Sequence, residues 1–131
     1  MICILSAGTM LTLAASAFTL SWTHSVEKTR WEERWTGGPE GLTVIEGRIE
    51  GSGAGMEPPA DAVLVNGAYV YRPTVPAIGE LVLAASGATG AGWTICPAGS
   101  ASDACLTFGE EAGPPIVVRW CGLAGSGPDP R

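Results

Sequence analysis

Positive charge is scarce in this 131-residue sequence: seven Lys and Arg stand against thirteen Asp and Glu, for a formal charge of -6. The densest basic stretch is the mixed group Lys28, Arg30 and Arg34. A phosphate-tracking surface needs a clustered basic face, so nucleic acid is excluded as the expected partner. Histidine is almost missing, with His24 the single example, and no C-x(2-4)-C knuckle occurs, so no zinc or other metal site is expected. Uninterrupted helix-compatible sequence is also lacking. Nineteen glycines and ten prolines punctuate the chain, and the longest stretch free of both, residues 9 to 36, repeats with a period of two rather than 3.6. Long helices are thereby excluded. Low-hydrophobicity disorder is excluded too, because 46% of residues are apolar and only 15% are charged.

What is present is alternation. Phe18, Leu20, Trp22, His24 and Val26 fall on one face of an extended segment, and Thr19, Ser21, Thr23, Ser25 and Glu27 fall on the other. His24 therefore points with the core residues, either as a buried structural imidazole or as the floor of a site. A buried imidazole requires a partner, and Glu33 or a carbonyl of the Gly53 to Gly55 loop is the candidate. After Val26 the phase shifts, so that Trp31, Glu33 and Trp35 share one face while Lys28, Arg30, Glu32 and Arg34 share the other. A bulge or turn near Glu27 to Thr29 accounts for the shift.

Turn signals recur at short intervals. Asn66-Gly67, between Ala62 to Val65 and Ala68 to Tyr71, is the clearest hairpin, since both residues tolerate the positive φ of a type I′ turn. Leu11 and Leu13 followed by Phe18, Leu20 and Trp22 read as strands paired across a turn. Further strands are expected at Leu42 to Ile49, Leu81 to Leu83, Trp93 to Ile95, Leu106 to Phe108 and Ile116 to Trp120. The expected fold is all-β, a single-domain sandwich or partly closed barrel of about 8 to 10 short antiparallel strands. Residues 1 to 121 form that domain, and residues 122 to 131 form a flexible tail. The five tryptophans are expected in the core.

Four cysteines, Cys3, Cys96, Cys105 and Cys121, allow three pairings. The turn-rich loop between Cys96 and Cys105 favours a bridge that staples a hairpin, which leaves Cys3 and Cys121 to tie the ends of the chain. Four free thiols in a cytoplasmic protein is the other reading. Bridges imply an oxidising, exported or periplasmic setting, with a start codon upstream of Met1. The first 23 residues are uncharged, and Ala15-Ser16-Ala17 has the form of a signal cleavage site. Against cleavage, no positive residue precedes Lys28, Gly8-Thr9 interrupts the apolar run, and removal of Cys3 would leave an odd cysteine count. Folded β structure is the favoured reading there, and no integral membrane span is expected in the folded domain.

Chemistry-bearing motifs are few. Gly51-Ser52-Gly53-Ala54-Gly55-Met56 has the look of a phosphate loop, but Pro58-Pro59 stands where the helix would begin, so the amides and dipole that hold a phosphate are missing. A tight interstrand loop is the simpler reading, one able to bring its backbone close to a ligand or to the His24 strand. His24 and Ser25 project from opposite faces and cannot act on each other. Glu27, Glu32 and Glu33 have acid or base capacity, yet carboxylates beside Lys28, Arg30 and Arg34 usually form exposed cross-strand pairs. No catalytic set emerges.

The run Phe18-Thr19-Leu20-Ser21-Trp22-Thr23-His24-Ser25-Val26-Glu27, followed by Trp31-Glu32-Glu33 and by Gly51-Ser52-Gly53-Ala54-Gly55-Met56-Glu57-Pro58-Pro59, resembles the bacterial family known as domain of unknown function 1850. The resemblance runs from the opening strands to the last cysteine. It implies a small protein encoded beside tripartite ATP-independent periplasmic (TRAP) transporters of the TAXI subtype, whose binding proteins capture organic acids, with no enzymatic activity and no cofactor. The expected role is a non-enzymatic accessory or ligand-sensing domain, with TRAP subunits or a small organic acid as partner. His24, Ser25, Glu27, Glu33 and the loop residues Gly53, Ala54 and Gly55 would form its recognition surface. The competing reading is a small hydrolase or isomerase using His24 with a carboxylate such as Glu33.

Overall fold

A computed structural model describes residues 1–23, 29–50, 61–87, 92–99 and 104–122 of the chain. Eleven strands and no α-helix are found among them: β1 (Ile2–Ser6), β2 (Thr9–Leu13), β3 (Ala17–Thr23), β4 (Arg30–Gly38), β5 (Gly41–Glu50), β6 (Val63–Val65), β7 (Ala68–Tyr71), β8 (Leu81–Ala85), β9 (Trp93–Pro97), β10 (Leu106–Phe108) and β11 (Gly113–Trp120). They form two antiparallel sheets, a smaller one in the order β2-β1-β11-β8 and a larger one in the order β10-β9-β3-β4-β5-β7-β6. The sheets face each other as a sandwich and do not close into a barrel. Eleven strands exceed the expected eight to ten.

Alternation explains the core. Ile2 and Ile4 from β1, Phe18 and Leu20 from β3, Leu42 and Val44 from β5, Ile95 from β9, and Ile116 and Val118 from β11 all point between the sheets and are buried. Burial of this kind contributes roughly 1.5 to 3 kcal/mol for each large aliphatic or aromatic side chain. Trp35 is buried among them, stacked on Phe18 with ring centroids 6.3 Å apart. Trp22, Trp93 and Trp120 are only partly buried at the margin, so the tryptophans border the core more than they fill it.

One expected pairing is corrected. β2 pairs with β1 in the smaller sheet, and β3 belongs to the larger sheet, so Leu11 and Leu13 do not lie across a turn from Phe18 and Leu20. The turn that decides this lies earlier, at Ala7-Gly8, where both residues have positive φ (50° and 82°), the conformation of a tight hairpin. The Asn66-Gly67 turn has the same character, with φ of 49° and 83°, and joins β6 to β7 as expected.

A bulge shapes the larger sheet. Arg34 is opposite Glu46 but Trp35 is opposite Val44, so Ile45 is the extra residue in β5. It reverses the strand's alternation: Leu42 and Val44 are buried before it, Gly47 and Ile49 after it. Both halves of β5 thus turn their apolar residues the same way, and Glu46, Arg48 and Glu50 turn outward. There they join the outward residues of β4 in a charge ladder, across the strands at Arg30–Glu50 and Arg34–Glu46 (each 3.8 Å) and along them at Arg30–Glu32 (3.4 Å) and Arg48–Glu50 (3.8 Å).

The disulfides are Cys3–Cys121 and Cys96–Cys105. The first links β1 to the residue after β11, and the second joins the β9 and β10 hairpin. The tail from residue 123 onward lies outside the described residues.

Candidate functional site

Of the residues proposed for recognition, His24, Ser25, Glu27, Gly53, Ala54 and Gly55 lie outside the described residues, as do the expected contacts of the His24 imidazole. Glu33 is described, and its position differs from that of the other charged residues of β4. The cross-strand register sets Leu20, Glu33, Gly47 and Tyr71 in one row, with Ile95 beyond Leu20. Partners in an antiparallel row share a face, so Glu33 projects on the inner face with the buried Leu20 and Ile95. Arg30, Glu32 and Arg34 alternate to the opposite face and carry the ladder. Glu32 pairs with Arg30 two residues away on the same strand, an ion pair within β4 and not the cross-strand pair expected of it.

The core reaches only one end of this row, at Leu20 and Ile95. It includes Leu20 and Trp35, but Trp31, Glu33 and Tyr71 lie past its margin, where the larger sheet extends beyond its main apolar cluster. Glu33 is half-buried, flanked along its own strand by Trp31 and Trp35. Trp35 Nε1 donates a hydrogen bond to Glu33 Oε1 at 3.1 Å. Across the sheet, Gly47 has no side chain, and the phenol of Tyr71 fills the space: a Cβ at Gly47 would overlap the ring. Glycine at this position is what allows Tyr71 to lie beside Glu33.

The electrostatics follow from this geometry. Burial raises the Glu33 carboxyl above the usual glutamate range, and the Trp35 hydrogen bond offsets part of that rise. Tyr71 is likewise raised above the usual phenol range, first by burial and then by the negative charge of Glu33. Among the described residues no cation lies within ion-pair distance of Glu33.

An aromatic row borders the site. Trp22 and Trp31 are register partners, stacked with centroids 6.0 Å apart, and Trp93 tilts against Trp22 at 5.1 Å. Trp93 Nε1 donates to the carbonyl of Ala84 at 2.8 Å, whereas the buried Trp31 Nε1 has no hydrogen-bond partner among the described residues. A small cavity of about 80 Å³ opens beside Trp22 and Trp93, lined also by Thr23, Ala84, Ser86 and Gly109.

Trp31, Trp35, Gly47 and Tyr71 were not singled out as site residues by sequence alone. The shared face of Trp31, Glu33 and Trp35 is visible in the alternation, but Gly47 and Tyr71 enter only through the β4, β5 and β7 register. No group of three or more metal-ligating side chains is found among the described residues. No helix among them is long and apolar enough to cross a membrane.

Neither a curated protein nor a solved structure matches the chain. Residues 18–103 match the family described as Domain of unknown function (DUF1850). That span runs from the first core residue of β3 through β9 and contains the whole Glu33 row, from Leu20 to Tyr71. Because the match extends over more than half of the sequence, the chain belongs to the DUF1850 family.

Proposed function

We propose that this domain is a non-enzymatic accessory or ligand-sensing module of an exported compartment, serving a TAXI-type TRAP transport system for organic acids. The observation that carries the recognition role is the Glu33 row, a half-buried carboxylate held by an indole donor and bordered by a phenol on the inner face of the larger sheet. A carboxylate, a phenol and flanking indoles recognise by hydrogen bonding and apolar contact. The two disulfides support an oxidising compartment. The transporter association comes from the family resemblance of the Thr-His-Ser-Val-Glu run and the Gly-Ala-Gly loop.

Affinity purification of the tagged protein from membranes of cells expressing a TAXI-type system tests the association. Recovery of the transporter's membrane subunits or its binding protein, and loss of that recovery when the tagged protein is omitted, is the expected result. Recovery of neither from mildly solubilised membranes at native expression level would remove the transporter from the proposed role.

A further inference from the structure

We propose that the Glu33 row binds the ammonium group of a primary amine, with Glu33 as counter-ion and Trp31, Trp35 and Tyr71 as the walls around it. The inference rests on the ligand-recognition part of the proposed function and not on the transporter association.

Charge and register lead to it. Four residues border Glu33 on the inner face, Leu20 and Gly47 across the sheet and Trp31 and Trp35 along the strand, and none carries a positive charge. The arginines nearest in the sheet, Arg30, Arg34 and Arg48, lie on the outer face, and all three are engaged in the carboxylate ladder. Among the described residues Glu33 has no counter-ion, and a carboxylate half-removed from water destabilises the fold when it ionises unpaired, as its raised pKa reflects. A ligand cation would offset that cost.

The polar groups suit an ammonium in particular. Trp35 Nε1 occupies one carboxylate oxygen as a donor. The remaining acceptor capacity of the carboxylate and the phenol oxygen of Tyr71 can take N–H bonds from a small, three-donor cation. The indoles and the phenol offer apolar, electron-rich surface to its methylenes and charge. A divalent metal ion is a poorer fit, since among the described residues this row offers a single carboxylate and hard cations take six or more oxygen ligands. A simple carboxylate ligand meets like charge at Glu33.

Nuclear magnetic resonance with an isosteric pair of probes tests the proposal. The intact, oxidised domain is titrated with propylammonium chloride and, separately, with sodium propionate at matched ionic strength, and the indole N–H resonances of Trp31 and Trp35 are followed. At a ceiling of about 1.5 kcal/mol per non-hydrogen atom a probe of this size binds no tighter than tens of micromolar, about 40 μM, so the titrations run from that range up to about 10 mM. The expected result is a saturable shift of both indole resonances with propylammonium and none with propionate. In Glu33→Gln, which keeps an acceptor for Trp35 and lacks the charge, propylammonium affinity should fall at least tenfold. In Glu46→Gln, on the outer face, it should be unchanged. Equal affinity in Glu33→Gln, or no saturable response to propylammonium in the folded protein, would overturn the proposal. Saturable binding of propionate instead would overturn the cation assignment while leaving a ligand-recognition role standing, and a response to neither probe would count against both.

Discussion

At Glu33 the folded protein and the unfolded chain disagree about a proton. Burial raises the carboxyl above its usual range, so the native state holds the proton to higher pH than the unfolded state does. Stability then falls as pH rises from the usual glutamate range through the raised folded value, and levels off above it. Glu33→Gln keeps the Trp35 acceptor and removes this slope. In urea melts the variant should match the parent at acid pH, below the usual range, and exceed it increasingly toward neutrality; a constant difference across pH would contradict the placement. Tyr71 has the same sign at the alkaline end. Its raised phenol is held neutral by the native state, so stability declines as pH passes the usual tyrosine value of about 10. Tyr71→Phe should remove that decline in melts between neutrality and strongly alkaline pH. Gly47 is the third member of the row. In Gly47→Ala the new methyl would displace the Tyr71 ring, at a cost of about 1 to 3 kcal/mol typical of overpacking, measured by the same melts.

Among the elements, β5 carries the most information. Ile45 is the bulged residue, largely exposed, and its single extra position lets Leu42, Val44, Gly47 and Ile49 all face inward. Ile45→Thr should therefore change stability by no more than about 0.5 kcal/mol. Deleting Ile45 is a different matter. It would force either Leu42 and Val44 outward or Glu46, Arg48 and Glu50 inward, and the expected result is loss of cooperative thermal unfolding and of dispersed amide resonances. The alternation in β3 and β4 makes the facial assignments of Phe18, Leu20, Trp22, Trp31, Glu33 and Trp35 readable from sequence. The Asn66-Gly67 turn is readable for the same local reason. The β5 bulge is not, because Val44-Ile45-Glu46 fits either phase until a partner strand selects one. Nor is the partner of β2: an alternating segment specifies a face but not the sheet it joins, and the turn before it places a positive-φ alanine, Ala7, where an asparagine would have signalled a hairpin. Tyr71 escapes sequence reading because its place beside Glu33 depends on two successive registers, β4 to β5 and β5 to β7.

For the molecule as a whole, the two disulfides act at different ranges. Cys3–Cys121 spans 118 residues and joins the central strands of the smaller sheet, while Cys96–Cys105 spans nine and staples a hairpin. Loop-closure entropy makes the longer bridge the more stabilising, by about 2 kcal/mol. Guanidinium melts of the paired serine variants should rank Cys3→Ser/Cys121→Ser below Cys96→Ser/Cys105→Ser, and the reverse order would show that something other than chain entropy governs what the bridges contribute. The same architecture gives Glu33 its character: the buried apolar cluster ends at Leu20 and Trp35, and the inner face continues past it to a carboxylate that is neither in the core nor on the charged surface. The sharpest test of that placement is the pH titration of the Glu33 side-chain carboxyl carbon in ¹³C-labelled, oxidised protein, with the Trp35 indole N–H followed alongside. A carboxylate so placed should titrate with a midpoint above the usual glutamate range, and the Trp35 shift should track it. A midpoint inside that range, with a Trp35 resonance indifferent to it, would place Glu33 in solvent and contradict the site.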